Sequence, residues 1–237
     1  MRIILLAIFF CFSHLCSAQL NLLKVASTKA NSLLMSSSLD KEEVSKGLRE
    51  ALVVGAENAT KSASSKGGFL NNKAIRIPFP SEAKKMKITL QKAGMQSQII
   101  AFEKSINSAA ELAAKEVFVI FVDAVTTMTI KDAFTILKGK DDAATTYLRR
   151  QTNAELYAKI KPITSNAIQQ VEVTKYWTPL VKFYNAIPFT KAINPDLEDY
   201  VTDKTIEGLF VLIANQENEI RNNPEARVSA LLQKVFK

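Results

Sequence analysis

The sequence predicts an all-α protein, a single-domain bundle of about nine helices crossed by an extended, proline-rich strap at residues 67–80. Several segments start with a capping residue and continue with apolar residues three and four positions apart, which is typical of amphipathic helices. Glycine and proline are scarce, with seven of each in 237 residues. Outside this strap, no segment alternates convincingly between apolar and polar residues, as a half-buried strand would.

Residues 1–18 have the composition of a signal peptide. Arg2 precedes an apolar run from Ile3 to Phe12, and Ala18 supplies the small residue that signal peptidase requires. The apolar run is shorter than the roughly 20 residues needed to cross a bilayer. We therefore expect cleavage after Ala18 and export to the periplasm or the extracellular space.

A lipoprotein is the alternative to this soluble, exported form. Cys16 could carry a lipid, but the residue before a lipidated cysteine is normally small, whereas here it is Leu15. Ordinary cleavage is therefore favoured. It leaves a lead-in segment at residues 19–38 and one helical domain at residues 39–237.

Cleavage would remove every cysteine and histidine, because the chain has two cysteines and one histidine, and these are Cys11, Cys16 and His14. The remaining 219 residues could form no disulfide, thiolate nucleophile, histidine-based triad or zinc site with thiolate or imidazole ligands. Catalysis would depend on carboxylates, lysine, arginine, tyrosine, hydroxyl groups or a metal bound only through oxygen. No cofactor and no metal are expected.

The chain is basic, with a formal net charge of +8 that becomes +7 once Arg2 is removed. Basic charge in an exported protein suggests an acidic partner such as a membrane surface, a polyanion or an acidic protein. The densest cluster is Lys84, Lys85 and Lys87, which makes contact with a membrane surface one hypothesis. A nucleic acid partner is disfavoured because the protein is exported and carries no recognition motif.

The first predicted helix starts at Asp40, which forms a capping box with Glu43, while Leu39 and Val44 can form a hydrophobic staple. Its apolar stripe continues through Leu48, Ala51, Leu52, Gly55 and Ala59. Gly67 and Gly68 end this segment. An anion-binding glycine loop is the alternative, but phosphate loops need more glycines and a following Lys and Ser/Thr, so a helix end is favoured.

The strap, GGFLNNKAIRIPFP, contains an apolar alternation between its glycines and prolines. An extended backbone would direct Ile75, Ile77 and Phe79 to one side and Arg76 to the other. The prolines prevent this segment from joining a helix or a central strand. Arg76 either pairs with a core carboxylate, which is favoured, or holds a ligand carboxylate or phosphate.

A basic helix from Ser81 to Gly94 and a helix capped by Ser97 are predicted next. The stretch EVFVIFVDAVTTM is apolar almost all round, which predicts a helix buried in the middle of the bundle. Asp123 interrupts it and is the best single catalytic candidate. Its carboxylate is either desolvated, with a raised pKa, or neutralised by Arg76, Arg149 or Arg150, and a structural pair is favoured.

Further caps predict the remaining helices. Thr129 and Asp132 form a capping box, and Gly139 ends that helix. Thr152 with Glu155 predicts the start of another helix, kinked by Pro162. The last helix begins at Asn223–Pro224.

The stretch DDAATTYLRR concentrates polar side chains at a predicted helix start. Asp141 and Asp142 are catalytic candidates, or one of them caps the helix, which base rates favour. A calcium loop is disfavoured because alternate acidic positions and a distal Glu are missing. The candidate ligand-binding residues are Arg76, Thr145, Tyr147, Arg149 and Arg150.

The aromatic pairs Tyr176–Trp177 and Phe183–Tyr184 could line a cavity for a lipid-like molecule. Aromatic residues at such spacing are more often part of the core.

Three stretches together resemble a family of exported bacterial proteins catalogued as domain of unknown function 4197. They are GGFLNNKAIRIPFP, FVDAVTTMTIKDAFTILKGKDDAATTYLRRQT and DYVTDKTIEGLFVLIANQENEIRNNPEARVSALLQKVF. The resemblance extends over nearly the whole chain from about Leu39. It implies a helical, secreted or periplasmic protein of a Gram-negative bacterium, and it implies no activity.

The leading hypothesis is a non-catalytic helical module of the cell envelope that binds a partner protein or an apolar or anionic ligand. The alternative is a hydrolase or lyase that uses carboxylates without His, Cys or zinc, with Asp123, Asp141 and Asp142 as acid or base and Arg76 or Arg149 stabilising an anion. An enzyme would bring these side chains together in one open cleft. A binding module would hold them in closed pairs or keep them apart.

Overall fold

A computed structural model confirms the all-α prediction, with 76% of the described residues in helices. It describes residues 40–193 and 195–236, and this part of the chain contains nine α-helices and no strand. The chain divides into two compact units, Met1–Glu43 and Val44–Lys237, and every site below belongs to the second. The predicted signal peptide, the lead-in segment and Leu39 of the predicted staple lie outside the described residues.

The helices are α1 (Lys41–Ser64), α2 (Lys84–Lys92), α3 (Gln96–Ala114), α4 (Phe118–Thr126), α5 (Ile130–Leu137), α6 (Ala143–Gln170), α7 (Val173–Asn185), α8 (Leu197–Asn222) and α9 (Ala230–Val235). Two 3₁₀ turns occupy Ser81–Ala83 and Pro224–Ala226. Helices α3, α6 and α8 pack against one another at the centre. Helices α4 and α5 pack on α6, and α2 and α7 pack on α3.

Aromatic side chains join the strap to two helices. The ring of Phe102 on α3 lies 5.2 Å from that of Phe79 on the strap and 4.7 Å from that of Trp177 on α7. On the other side of the core, Phe121 of α4 meets Phe210 of α8 edge to face at 5.6 Å. These contacts bury large apolar surfaces and fix how the helices sit against one another.

Two of the predicted helix boundaries are confirmed at atomic level. The Thr129 hydroxyl accepts from the Asp132 N–H, and the Asp132 carboxylate accepts from the Thr129 N–H, both at 3.1 Å. Gly94 has a φ of +81°, and the N–H of Met95 donates to the carbonyl of Leu90 at 3.0 Å. This is the left-handed glycine turn that ends many helices.

The predicted helix start at Thr152 is wrong. Thr152 lies inside α6, a single helix of 28 residues that continues through Pro162. Its hydroxyl donates to the carbonyl of Leu148 at 2.8 Å instead of capping a helix. The predicted cap at Ser97 is also wrong, because α3 begins at Gln96 and Met95 occupies the capping position without a side-chain bond.

The expected burial of the apolar segment around Asp123 is wrong. Helix α4 has only nine residues and buries one side of itself, through Ile120, Phe121 and Val125. Val119 on the other side is 64% exposed, and Asp123 is exposed as well. The segment has the composition of a buried helix but lies at the surface of the bundle.

Candidate functional site

A row of three buried polar residues on α3 holds the strap. Glu103, Asn107 and Glu111 are four residues apart, so they share one face of the helix. All three side chains are buried. Most of their hydrogen bonds go to residues between Phe69 and Lys87. Those of Asn107 and Glu111 satisfy backbone groups of the strap that no helix or sheet pairs.

Asn107 pairs with the strap as a neighbouring strand would. Its side-chain oxygen accepts from the N–H of Ile77 at 2.8 Å, and its side-chain nitrogen donates to the carbonyl of Ile77 at 2.8 Å. The same nitrogen donates to the carbonyl of Glu103 at 2.7 Å. Asn107 is fully buried and out of reach of water. These three bonds therefore satisfy donors and acceptors that would otherwise stay unpaired.

The two glutamates fix the ends of the strap. Glu111 accepts from the N–H groups of Phe69 and Leu70, at 3.2 and 3.4 Å. Glu103 forms ion pairs with Arg76 at 3.2 Å and with Lys87 at 2.6 Å. Arg76 thus has an internal carboxylate partner, as the favoured alternative predicted.

A second buried network surrounds Glu217 of α8. Its carboxylate accepts from the N–H groups of Ala144 and Thr145, at 2.9 and 2.8 Å, and from the Thr145 hydroxyl at 2.8 Å. Arg221 pairs with it at 2.8 Å and also donates to the carbonyl of Ile136 at 2.9 Å. A carboxylate at this place stabilises the N-terminus of α6.

This network corrects the predicted cap of α6. Asp142 occupies the capping position but makes no side-chain capping bond within the part of the chain that the structure describes. Glu217 performs that role from another helix, and both the N–H and the hydroxyl of Thr145 donate to it.

Three of the predicted site residues do line one groove, between α5 and α6. The groove has a volume of about 440 Å³, within the 300–1,000 Å³ typical of small-molecule sites. The residues that line it are Asp132, Thr135, Ile136, Gly139, Lys140, Asp142, Ala143, Thr146, Tyr147 and Arg150. The predicted residues among them are Asp142, Tyr147 and Arg150.

The groove contains charges of both signs. Arg150 lies 5.8 Å from the centre of the Tyr147 ring, and neither Arg150 nor Lys140 forms an ion pair with any described residue. Burial, followed by the negative charge of Asp132, raises the pKa of Tyr147. Tyr147 therefore stays protonated and can donate a hydrogen bond at neutral pH.

Asp132 is held in a fixed ionisation state. The hydrogen bond from the Thr129 hydroxyl, followed by that from the Thr129 N–H, lowers the pKa of Asp132. The carboxylate is therefore charged at neutral pH and is unsuited to donate a proton as a general acid.

The remaining predicted residues lie elsewhere. Arg149 covers the ring of Phe210, with its guanidinium carbon 4.4 Å from the ring centre. Asp123 is exposed on α4, and Asp141 is exposed before α6. The structure does not bring Arg76, Asp123 and Asp142 together, because Arg76 pairs with Glu103, Asp142 lines the groove, and Asp123 does neither.

The residues of the two aromatic pairs differ in burial. Trp177 and Tyr184 are buried in the core, whereas Phe183 is exposed. An apolar cavity beside α8, lined in part by Leu48 and Phe236, has a volume of about 20 Å³, which is space for one water molecule.

Within residues 40–193 and 195–236, no three His, Cys, Asp or Glu side chains lie close enough together to hold a metal ion. No helix in that part of the chain is both long and apolar enough to span a bilayer.

Comparison with known proteins gives one match. A family model described as a protein of unknown function, DUF4197, matches residues 38–237. No curated protein and no solved structure matches the chain.

Proposed function

The chain belongs to the DUF4197 family of proteins of unknown function, and we propose that it is a non-catalytic binding module of the cell envelope. Its binding site is the groove between α5 and α6, and its ligand is a small molecule with an anionic group. The observation that carries this proposal is the presence of Arg150 and Lys140 in that groove without an ion pair to any described carboxylate. Cations that lack an ion pair beside a half-enclosed space favour the binding of an anion.

The other groups of the groove narrow the class of ligand. Arg150 offers a planar set of donors that suits a carboxylate or a phosphate, and Tyr147 lies within reach of Arg150. Asp142 adds an acceptor at the rim of the groove. A ligand that carries both an anionic group and a hydrogen-bond donor, such as an ammonium or hydroxyl group, would complement all of these residues.

The N-terminus of α6 does not contribute to this site. The N–H groups of Ala144 and Thr145 already donate to Glu217. The affinity for an anion is therefore expected to come from the side chains of Arg150 and Lys140 rather than from the helix dipole.

The pKa of Asp132 and the positions of the other candidate side chains favour binding over the hydrolase or lyase alternative. Asp132 is engaged with Thr129 and has a lowered pKa, so it lacks the raised pKa of a catalytic acid. Asp123 lies outside the groove, and Arg76 is paired with Glu103. This leaves Asp142 without a second carboxylate that is suited to exchange protons.

The test is a titration of the protein with inorganic phosphate and, separately, with succinate and with β-alanine, followed by NMR of the arginine side chains. We expect saturable shifts of the Arg150 guanidinium signals, and we expect Arg150→Gln to weaken binding at least about tenfold. Arg149→Gln is the matched control, because it removes the same charge from the neighbouring residue, which lies over Phe210.

Equal loss of binding in Arg149→Gln and Arg150→Gln would mean that only general positive charge is involved and would contradict the proposal. So would the absence of any saturable shift at millimolar concentrations of all three probes.

A further inference from the structure

Helices α2 and α3 form a rigid hairpin closed at Gly94. The N–H of Met95 donates to the Leu90 carbonyl at 3.0 Å, and the side chains of Gln91 and Gln96 are hydrogen-bonded across the turn at 3.2 Å. The inner side of the hairpin is fully buried, and its residues are Met86, Leu90, Ile99, Phe102 and Ile106. The hairpin is therefore folded before it meets any partner.

The outer side of this hairpin exposes two isoleucines. Ile88 on α2 is 45% exposed, and Ile100 on α3 is 53% exposed. Lysines flank them at four-residue spacing, which places each pair on the same helix face. Lys84 and Lys92 lie on either side of Ile88, and Lys104 follows Ile100.

The charge of the hairpin is almost entirely positive. Between Lys84 and Lys104 the sequence has five lysines and one glutamate. That glutamate, Glu103, is buried and engaged with Arg76 and Lys87. The other four lysines form no ion pair with any described residue, and the exposed carboxylate nearest to them in sequence is that of Glu82 in the preceding turn.

We propose that the outer side of the α2–α3 hairpin binds to an anionic membrane surface. The heads of Lys84, Lys85, Lys92 and Lys104 reach the lipid phosphates, while Ile88 and Ile100 enter the boundary between headgroups and acyl chains. This surface is separate from the groove between α5 and α6, because the two share no residue.

A lipid surface fits this side of the hairpin better than a protein does. Lysine is depleted in protein–protein interfaces, where arginine and aromatic residues are enriched, and the outer side has neither. Mobile lysines beside aliphatic side chains are typical of elements that lie at a bilayer interface. The outer side of the hairpin lacks the aromatic anchor that a protein pocket would select.

The test is co-sedimentation of the protein with vesicles of phosphatidylethanolamine and phosphatidylglycerol, compared with vesicles of phosphatidylcholine alone. We expect binding only to the anionic vesicles and its loss in 0.5 M NaCl, because salt screens exposed charges. Each Lys→Gln change among the four lysines should weaken binding about fivefold. The double variant Ile88→Ser/Ile100→Ser should weaken it by roughly the same factor.

Two matched controls separate this surface from general charge and apolarity. Lys66→Gln/Lys73→Gln removes two exposed lysines from the turn after α1, and Val119→Ser/Val228→Ser removes two apolar side chains that are 64% and 69% exposed. Both controls should bind as the wild type does. Any contribution of the N-terminal residues is the same in all variants, so the differences report on the hairpin.

The proposal is overturned if anionic vesicles are not bound at low salt or if the controls lose as much binding as the hairpin variants. Equal binding to neutral vesicles would also overturn it. Binding to heparin without binding to anionic vesicles would identify a soluble polyanion as the partner instead. Circular dichroism of each variant confirms that a loss of binding is not a loss of fold.

Discussion

At the scale of single residues, buried charged side chains of this protein form hydrogen bonds with backbone groups. Glu217 satisfies two N–H groups of α6 and a hydroxyl, and Arg221 neutralises it while donating to the carbonyl of Ile136. A buried ion pair contributes little net stability by itself, but removal of one partner leaves the other uncompensated. The contribution of this network to the free energy of unfolding is therefore best measured by removing one of its members.

Glu217→Ala is expected to lower the free energy of unfolding by about 3 kcal/mol or more. The change leaves two N-terminal N–H groups of α6 without their hydrogen-bond acceptor, and it leaves the guanidinium of Arg221 without its carboxylate. Chemical denaturation monitored by circular dichroism measures the difference. The control is Glu219→Ala on the exposed side of the same helix, which should change stability by less than about 0.5 kcal/mol. Similar values for the two variants would contradict the role given to Glu217.

Tyr200 provides a pH-dependent contribution to stability. Its hydroxyl donates to the carbonyl of Pro78 at 3.0 Å, and burial, followed by the negative charge of Glu103, raises the pKa of Tyr200 to about 12. A tyrosine in the unfolded chain has a pKa of about 10. Because the folded state favours the protonated form, this contribution is complete below pH 10 and is lost as the pH rises toward 12.

We expect the wild type to lose about 1 kcal/mol more stability than Tyr200→Phe between pH 8 and pH 11. Urea denaturation at each pH measures this, and the comparison cancels the other four tyrosines. Parallel stability curves for the two proteins over this range would show that Tyr200 is not linked to the strap in this way.

At the scale of elements, α6 shows where local sequence signals fail. Thr152 and Glu155 have the spacing of a capping box, but the chain continues as helix through both of them. The Thr152 hydroxyl bonds back to Leu148, and Glu155 pairs with Lys159 at 2.7 Å. Packing of α6 against α3 and α8 thus overrides a signal that is worth about 1 kcal/mol.

Pro162→Ala is expected to stabilise the protein by about 2 kcal/mol. Proline in a helix interior removes one hydrogen bond and is about 3 kcal/mol less favourable than alanine, although it also restricts the unfolded chain. Pro162 is exposed, so the change should create no cavity. Thermal unfolding measures the effect.

Pro224→Ala is the control for that measurement. Pro224 lies in the first position of a 3₁₀ turn, where the missing N–H costs nothing. This change should be neutral or slightly destabilising. Destabilisation by Pro162→Ala would mean that the proline supplies a bend that α6 needs.

At the scale of the whole molecule, contacts between residues close in the chain were predicted from the sequence, whereas contacts between residues far apart in the chain were not. The Thr129–Asp132 capping box and the Gly94 turn involve neighbours in the chain and were predictable. Glu217 lies 72 residues or more from the groups it caps, and nothing in the sequence of α8 marks that role. Asn107 and the glutamates beside it form a polar row on α3, which by periodicity alone is indistinguishable from a solvent-exposed face.

The same distinction applies to the candidate site. Tyr147, Arg150 and Asp142 were predicted together because they are close in sequence and lie at a helix start. Lys140 lies two residues before Asp142 but was not singled out, whereas Asp132 and Thr135 line the same groove only because α5 packs on α6. Asp123 was misplaced because an apolar composition indicates burial only when both sides of a helix are covered.

The close approach of the strap to α8 gives a final prediction for the fold as a whole. Gly208 lies in the interior of α8, where a glycine is normally replaced by alanine with a gain of about 1 kcal/mol. A methyl group there would lie 2.8 Å from Phe69 and 3.2 Å from Ile75, which are both buried. The strap could accept it only by moving, and the movement would disturb the bonds that Asn107 and Glu111 make. Gly208→Ala should therefore destabilise the protein by about 1–3 kcal/mol.

Gly55→Ala is the matched change in α1, because Gly55 is also a buried helical glycine. Its added methyl group would meet only Gln216, at an ordinary contact distance of 3.5 Å, so this change should stabilise the protein by about 0.5–1 kcal/mol. Denaturant midpoints of both variants measure the two effects. Opposite signs are expected because helix propensity acts alike at both glycines, whereas the contact with the strap exists only at Gly208. A gain in stability at both positions would mean that the strap is free to shift, and it would remove the argument that α3 and α8 hold it in one place.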